Sequence, residues 1–214
     1  MTDGAGTALS PEQLAAAVAT APGRELGSGY QASVRVVSTP AGDIVVKRPH
    51  GGVLAMLWRY LLRREHSVYT RLGGIAGIPR AYGLIGGEAL ALEYITGPSL
   101  REHDAALAHR DEFFARLLAT VLAMHAVGVA HGDLKRKHNV IVGAGEQPYL
   151  IDFGIACLRD GLFGRLVFTT FRQMDLNAWL KLKYGRRLED IVEPEAVSVE
   201  DAALYRPLLI ERLA

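Results

Sequence analysis

The sequence predicts an α+β protein of two lobes, and two patterns carry that expectation. Segments of β type dominate up to about residue 94 and helical periodicity dominates from residue 99 onward, with a thin joint at 94–98. Half of the 214 residues are hydrophobic and 22 % are charged, the profile of a chain that folds around a sizeable core.

The elements can be justified in order. Ser10-Pro11-Glu12-Gln13 offers an N-cap, a proline at the first helical position and a capping-box Gln, so a short helix follows over LAAAVA. Two β-type stretches near 23–28 and 31–38 lead through a turn at Thr39–Asp43 into the apolar strand IVVK at 44–47. Leu54, Leu57, Trp58, Leu61, Leu62, Tyr69 and Leu72 recur at helical spacing over 53–72 and stop at Gly73-Gly74. Strands at 81–85 and 88–94 flank Gly86-Gly87, and a long amphipathic helix covers 111–128. Strands at 139–142 and 148–151 follow, then helices near 172–184 and 199–213.

Composition narrows the function classes. A formal net charge of +1 gives no global electrostatic case for nucleic acid. Cys157 is the only cysteine, so an intrachain disulfide and a cysteine-based zinc site are excluded. The first residues, MTDGAGTALS, have neither the basic nor the apolar part of a secretory signal, and no apolar run is long enough to span a bilayer. A reducing, cytoplasmic setting is expected.

The chemistry concentrates in a few stretches. Gly27 and Gly29, in LGSGYQASV, let backbone N–H groups approach an anion, or simply form a hairpin turn. Lys47 ends a buried-looking strand, so its charge needs a partner such as Glu65 or a route to water. Asp152 in YLIDFG is either a turn residue or a metal ligand. In AHGDLKRKHNVIV (130–142), Gly132, Asp133 and Asn139 disfavour helix and the β-branched exit reads as a strand. It is therefore a basic loop held between a helix and a strand.

Taken in order, these pieces resemble the signature set of the protein-kinase-like superfamily: glycine loop, strand Lys, helix Glu, H-x-D-L-K with a following Asn, then D-F-G. The similarity runs from about residue 24 to about residue 157, and the compactness is most similar to small bacterial and RIO-type atypical kinases and to lipopolysaccharide-core sugar kinases. The resemblance implies a bilobal fold. It would have an N-terminal extension (1–21), a β-rich N-lobe (22–95) and a reduced, mostly helical C-lobe (96–214). It also implies ATP and Mg²⁺ as cofactors, with Mn²⁺ as the alternative ion. Asp133 would accept the proton of the attacking hydroxyl, and Lys135 would neutralise the moving phosphoryl group. Asn139 and Asp152 would bind the metal. Lys47, oriented by Glu65, would hold the α- and β-phosphates beneath Gly27, Ser28, Gly29 and Val34, while Leu92, Glu93 and Ile95 would line the adenine position.

Departures from the pattern matter as much. Gly132 replaces the Arg beside the catalytic Asp, which removes the usual clamp for a phosphorylated activation loop. Ala32 stands at the third glycine position. Asn139 follows Asp133 by six residues instead of five, which puts His138 at the usual place. Asn139 is the expected ligand, because Mg²⁺ prefers a carboxamide oxygen to an imidazole. No A-P-E follows D-F-G, and the 57 residues after Cys157 are too few for the helical platform that grips peptides.

The expected acceptor is a hydroxyl on a protein, with autophosphorylation at Thr169 or Thr170 as one route. The alternative is a lipid-linked heptose or 3-deoxy-manno-octulosonic acid. A pseudokinase scaffold is disfavoured, since it has no chemical need for Lys47, Asp133, Asn139 and Asp152 together. The Trp, Tyr and Arg content of 54–65 is compatible with peripheral contact at the inner face of a membrane, and equally with a helix packed on the sheet.

Overall fold

A computed structural model describes residues 11–20, 23–28, 32–40, 42–185 and 197–208. The chain divides into two compact units, Met1–Gly73 with Pro79–Tyr94, and Gly74–Ile78 with Ile95–Ala214. The fold is α+β, with a five-stranded antiparallel sheet in the N-terminal half and mainly helices in the C-terminal half.

In the first unit, α1 (Pro11–Thr20) precedes β1 (Gly23–Ser28), β2 (Ala32–Thr39) and β3 (Gly42–Pro49). Next come α2 (Ala55–Arg71), β4 (Ala81–Ile85) and β5 (Ala89–Glu93). The Ser10 cap expected for α1 lies outside the described residues. Sheet order is β1-β2-β3-β5-β4. Alternation along β3 sorts its side chains. Ile44 and Val46 join Leu14 and Val18 of α1, Val37, Ala89 and Ala91 in one apolar cluster. Val45 and Lys47 therefore point to the other face, where Lys47 meets α2. Helix α2 buries Leu62, Glu65, Val68 and Tyr69 on one stripe. Leu54 and Leu57, expected on that stripe, are instead exposed together with Val53, Met56 and Tyr60.

The second unit holds α3 (Leu100–His103), α4 (Arg110–Ala126), β6 (Val129–Ala130), β7 (Val140–Val142), β8 (Pro148–Leu150), β9 (Cys157–Leu158), α5 (Gly161–Tyr184) and α6 (Val199–Ala202). Strand β6 pairs with β9, and β7 with β8. Phe113, Phe114, Leu117, Val121 and Met124 of α4 are buried along with Leu134, Leu150, Phe153 and Trp179. The Trp179 indole N–H is satisfied by the Phe114 carbonyl at 2.9 Å. Residues 74–78 join this unit through hydrogen bonds to their carbonyls: Leu150 N–H donates to Gly77 O at 2.8 Å and the Thr120 hydroxyl to Ala76 O at 2.9 Å.

Two helices differ from expectation. Helix α5 starts at Gly161, not near 172, and its Gly164, which argues against a helix in sequence, serves packing here. A Cβ on Gly164 would sit 2.3 Å from the Leu158 carbonyl oxygen, so only glycine lets α5 approach β9. The expected 199–213 helix is the four-residue α6, capped by Ser198, after which 205–208 run without regular structure. Pro207 disfavours helical backbone at Arg206, and 209–214 lie outside the described residues.

Candidate active site

Within the first unit, the expected phosphate-holding groups sit on adjacent strands. Gly27 pairs with Val34 and Ser28 with Ser33 across β1 and β2, after an irregularity at Leu26. Gly29 lies outside the described residues. Val34 in turn pairs with Lys47, so the loop and the lysine are in register. Lys47 Nζ lies 2.7 Å from Glu65 Oε1, with the two side chains only 14 % and 5 % exposed. Neither charge would be tolerated there alone, so the pair fixes the lysine head. Leu92 is buried on β5 opposite Val45. The Glu93 N–H is committed to Arg80 O at 2.8 Å, and its carboxylate accepts the Arg80 N–H at 2.9 Å. Ile95 is partly buried and belongs to the second unit.

In the second unit the loop 131–139 is built around two polar anchors. His131 is fully buried, and its Nε2 lies 3.0 Å from Ile151 O while the Asp133 N–H lies 3.2 Å from its Nδ1. A carbonyl can only accept and an N–H can only donate, so the ring is the Nε2–H tautomer. Its face packs against Phe153, with ring centroids 4.8 Å apart. The Asp133 carboxylate meets Arg136 Nε at 2.9 Å. Asn139 is buried and its amide nitrogen donates to Asp133 O at 3.0 Å, which leaves the amide oxygen for a cation. His138 is exposed, and its Nε2 lies 3.3 Å from Arg101 Nη1. Lys135 is exposed on the same loop.

The Ile151 N–H donates to Asn139 O at 3.0 Å, so Asp152 follows directly on a residue paired with Asn139. Asp152 has φ 67°, and only it and Glu146 are non-glycine residues of positive φ among the described residues. Left-handed backbone of this kind persists where the surroundings over-determine it, often at functional sites. Asp152 and Asn139 supply hard oxygen donors, which suits Mg²⁺. Among the described residues, no group of three or more His, Cys, Asp or Glu could hold an ion unaided. A metal there would have to draw further ligands from phosphate and water.

One residue that sequence reasoning missed supports the loop. Asp175 of α5 is 1 % exposed; its Oδ2 accepts from His131 N at 2.7 Å and meets His125 Nε2 at 3.0 Å, and its Oδ1 accepts from Gly132 N at 2.9 Å. The signal was an Asp within the apolar run MDLNAWL, where an unpaired charge would be costly. The structure also explains Gly132. Its φ is +79°, and a Cβ would lie 3.0 Å from the Phe171 ring.

The lysine–glutamate pair beside a strand loop in the first unit, and the H-x-D-L-K loop followed by D-F-G in the second, resemble the signature set of protein kinases. No protein-family model matches the chain. Over 149 residues it is 31 % identical to "Putative cyclin-dependent kinase F-2" of Oryza sativa subsp. japonica, covering 62 % of this chain and 45 % of that protein. Over 143 residues it is 32 % identical to "Probable serine/threonine-protein kinase PkwA" of Thermomonospora curvata, covering 61 % of this chain and 19 % of that protein. The chain thus spans less than half the length of either relative. These similarities support the protein-kinase-like superfamily at the coarse level.

Proposed function

We propose that the chain is an ATP-dependent phosphotransferase, a compact atypical Ser/Thr protein kinase that moves the γ-phosphate of ATP to a hydroxyl. The observation that supports this best is the loop 131–139, where Asp133 is presented beside Asn139 and the backbone is gripped by the buried Asp175. In the reaction the acceptor oxygen forms a bond to the γ-phosphorus while the bond to the β–γ bridging oxygen breaks and ADP leaves. The hydroxyl proton passes to the Asp133 carboxylate, from which Arg136 must swing aside as the acceptor docks. Lys135 offsets charge on the transferring group, and Lys47, held by Glu65, engages the α- and β-phosphates under Gly27, Ser28, Gly29 and Val34. Leu92, Glu93 and Ile95 line the adenine. Mg²⁺, or Mn²⁺ in its place, would be held by Asp152 and the Asn139 oxygen and would neutralise phosphate charge. Residues 22–95 form the nucleotide lobe in this reading, 96–214 the catalytic lobe and 1–21 an extension.

Labelled ATP with the purified protein tests the assignment. Asp133→Asn should lower transfer about 10²- to 10⁴-fold while Mg·ATP still raises the melting temperature. Wild-type transfer by that variant, or no thermal shift with millimolar Mg·ATP in the parent, overturns it.

A second acceptor, a lipid-linked heptose or 3-deoxy-manno-octulosonic acid, is favoured by exposed apolar side chains. Ile155, just after D-F-G, and Leu162, Phe163 and Leu166 of α5 face solvent near Arg159 and Arg165. Apolar and cationic groups together suit the headgroup region at the inner face of a membrane. Among the described residues no helix is long and apolar enough to cross one. Transfer to lipid-core fractions, with none to protein, would select this acceptor.

A further inference from the structure

The loop from Asp133 to Asn139 is one residue longer than the pattern it resembles, and the structure shows where the extra residue goes. Lys137–Asn139 coil into a 3₁₀ turn, in which Asn139 N–H donates to Arg136 O at 2.9 Å and Val140 N–H donates to Lys137 O. A single 3₁₀ turn is held by little of its own. Here it is held from outside. Lys137 Nζ sits 2.5 Å from Asp104 Oδ2, on the turn Asp104–Ala106 that follows α3.

Asp104 is itself anchored. Its other oxygen pairs with Arg110, whose second amino group donates to Leu182 O and Lys183 O at 3.2 and 2.8 Å. Arg110 also lies over the Phe114 ring, 4.7 Å from its centroid. Burial pushes the Asp104 carboxyl up, but hydrogen bonds from Lys137 and Arg110 and their charges hold it below the ordinary range. The carboxylate therefore sits as an anion between two cations, joining the last turn of α5 to the extra turn of the loop. Both ends of the loop then hang on one helix: the His131–Gly132 end directly through Asp175, and the Asn139 end through Arg110 and Asp104.

We propose that Asp104 is a positioning residue that holds Asn139 in place through Lys137. The positioning stands on geometry alone; its consequence for metal binding rests on the reading of Asn139 as a metal ligand. Without Asp104, Lys137 and Arg110 would face each other with no counter-charge, and the turn would lose its outside support.

Hydrogen exchange on the full chain, with Mn²⁺ titrated in the presence of nucleotide and followed by electron paramagnetic resonance, tests both parts. Asp104→Asn and Lys137→Met should each speed exchange at the Asn139 and Val140 amides about tenfold, with the His131 and Gly132 amides unchanged. Mn²⁺ affinity should fall about tenfold, as it does when an outer support of a metal ligand is removed, and Asp104→Glu should recover most of it. Unchanged exchange at Asn139 and Val140, or equal acceleration throughout the unit, overturns the positioning role. A local exchange effect in a protein whose parent binds no Mn²⁺ upholds the positioning and discards the metal reading. A local effect with undiminished Mn²⁺ affinity overturns the link between them.

Discussion

Asp175 and His131 are joined by a 2.7 Å hydrogen bond from the His131 backbone N–H to a carboxylate that is itself buried on α5. The same carboxylate takes the Gly132 N–H and contacts the His125 ring, so one side chain orders the entry to the 131–139 loop. Loop backbone is normally the softest part of a fold. A buried carboxylate that accepts from two amides ties it down, as the proposed role of Asp133 as a positioned base would require.

Asp175→Ala should therefore damage both stability and turnover. It strands two buried N–H donors and His125, a loss of about 3–5 kcal/mol. Urea unfolding measures the first effect and single-turnover transfer the second. A folded variant with parental turnover would show that the contact is structural only.

Gly132→Arg, which installs the residue usual in the kinase pattern that this loop resembles, is expected to be harmful here. Positive φ costs a non-glycine side chain about 1–3 kcal/mol, and a Cβ lands 3.0 Å from Phe171. Pairing the substitution with Phe171→Ala should recover part of the loss. A neutral thermal melt for Gly132→Arg alone would contradict this account.

The Lys47–Glu65 pair should show strong non-additivity. Lys47→Met leaves Glu65 buried and uncompensated, for a loss of about 3 kcal/mol, whereas Lys47→Met with Glu65→Leu should be much less destabilised. Both variants should lose nucleotide affinity, so only their stabilities separate. Additive losses in denaturant titrations would count against mutual dependence.

Asn139→Ala should cut transfer by orders of magnitude, with partial recovery in Mn²⁺, which tolerates poorer geometry. His138→Ala should be mild, because that ring is exposed and reaches Arg101. Kinetics over a range of Mg²⁺ and Mn²⁺ concentrations distinguish the two. A severe His138 variant beside a mild Asn139 variant reverses the assignment.

Acid and alkali should each weaken the α5–α6 junction. Burial pushes the Asp201 carboxyl up, but Lys183 and Tyr184 hydrogen bonds and the Lys183 charge bring it below its usual 3.8. Its contribution is full above that value and fades as pH falls through the lower folded value. Burial pushes Lys183 down, but the hydrogen bond and charge of Asp201 raise it above 10.5. That contribution is full below 10.5 and fades as pH rises through the higher folded value. Asp201→Asn should flatten both limbs of a stability–pH curve, and an unchanged curve would rule the pair out as their source.

Much of the molecule was legible in the sequence because its signals are local. Period-two apolar runs marked β2 to β5, helical spacing marked α2 and α4, and motif order pointed to Lys47, Asp133, Asn139 and Asp152. A residue's type and its near neighbours suffice for such inferences. The first turns of α5 are not legible locally: Gly161 and Gly164 weaken helix propensity, and the close approach to Leu158 of β9 that requires Gly164 is a property of the packed chain. Nor does local pattern show whether Glu65 is paired, that Asp175 caps the loop from 44 residues away, or that Asp104 reaches Lys137 across 33. Those relationships depend on which charges are removed from water together. Burial and pairing at a distance are properties of the packed chain, so the tertiary structure alone decided them.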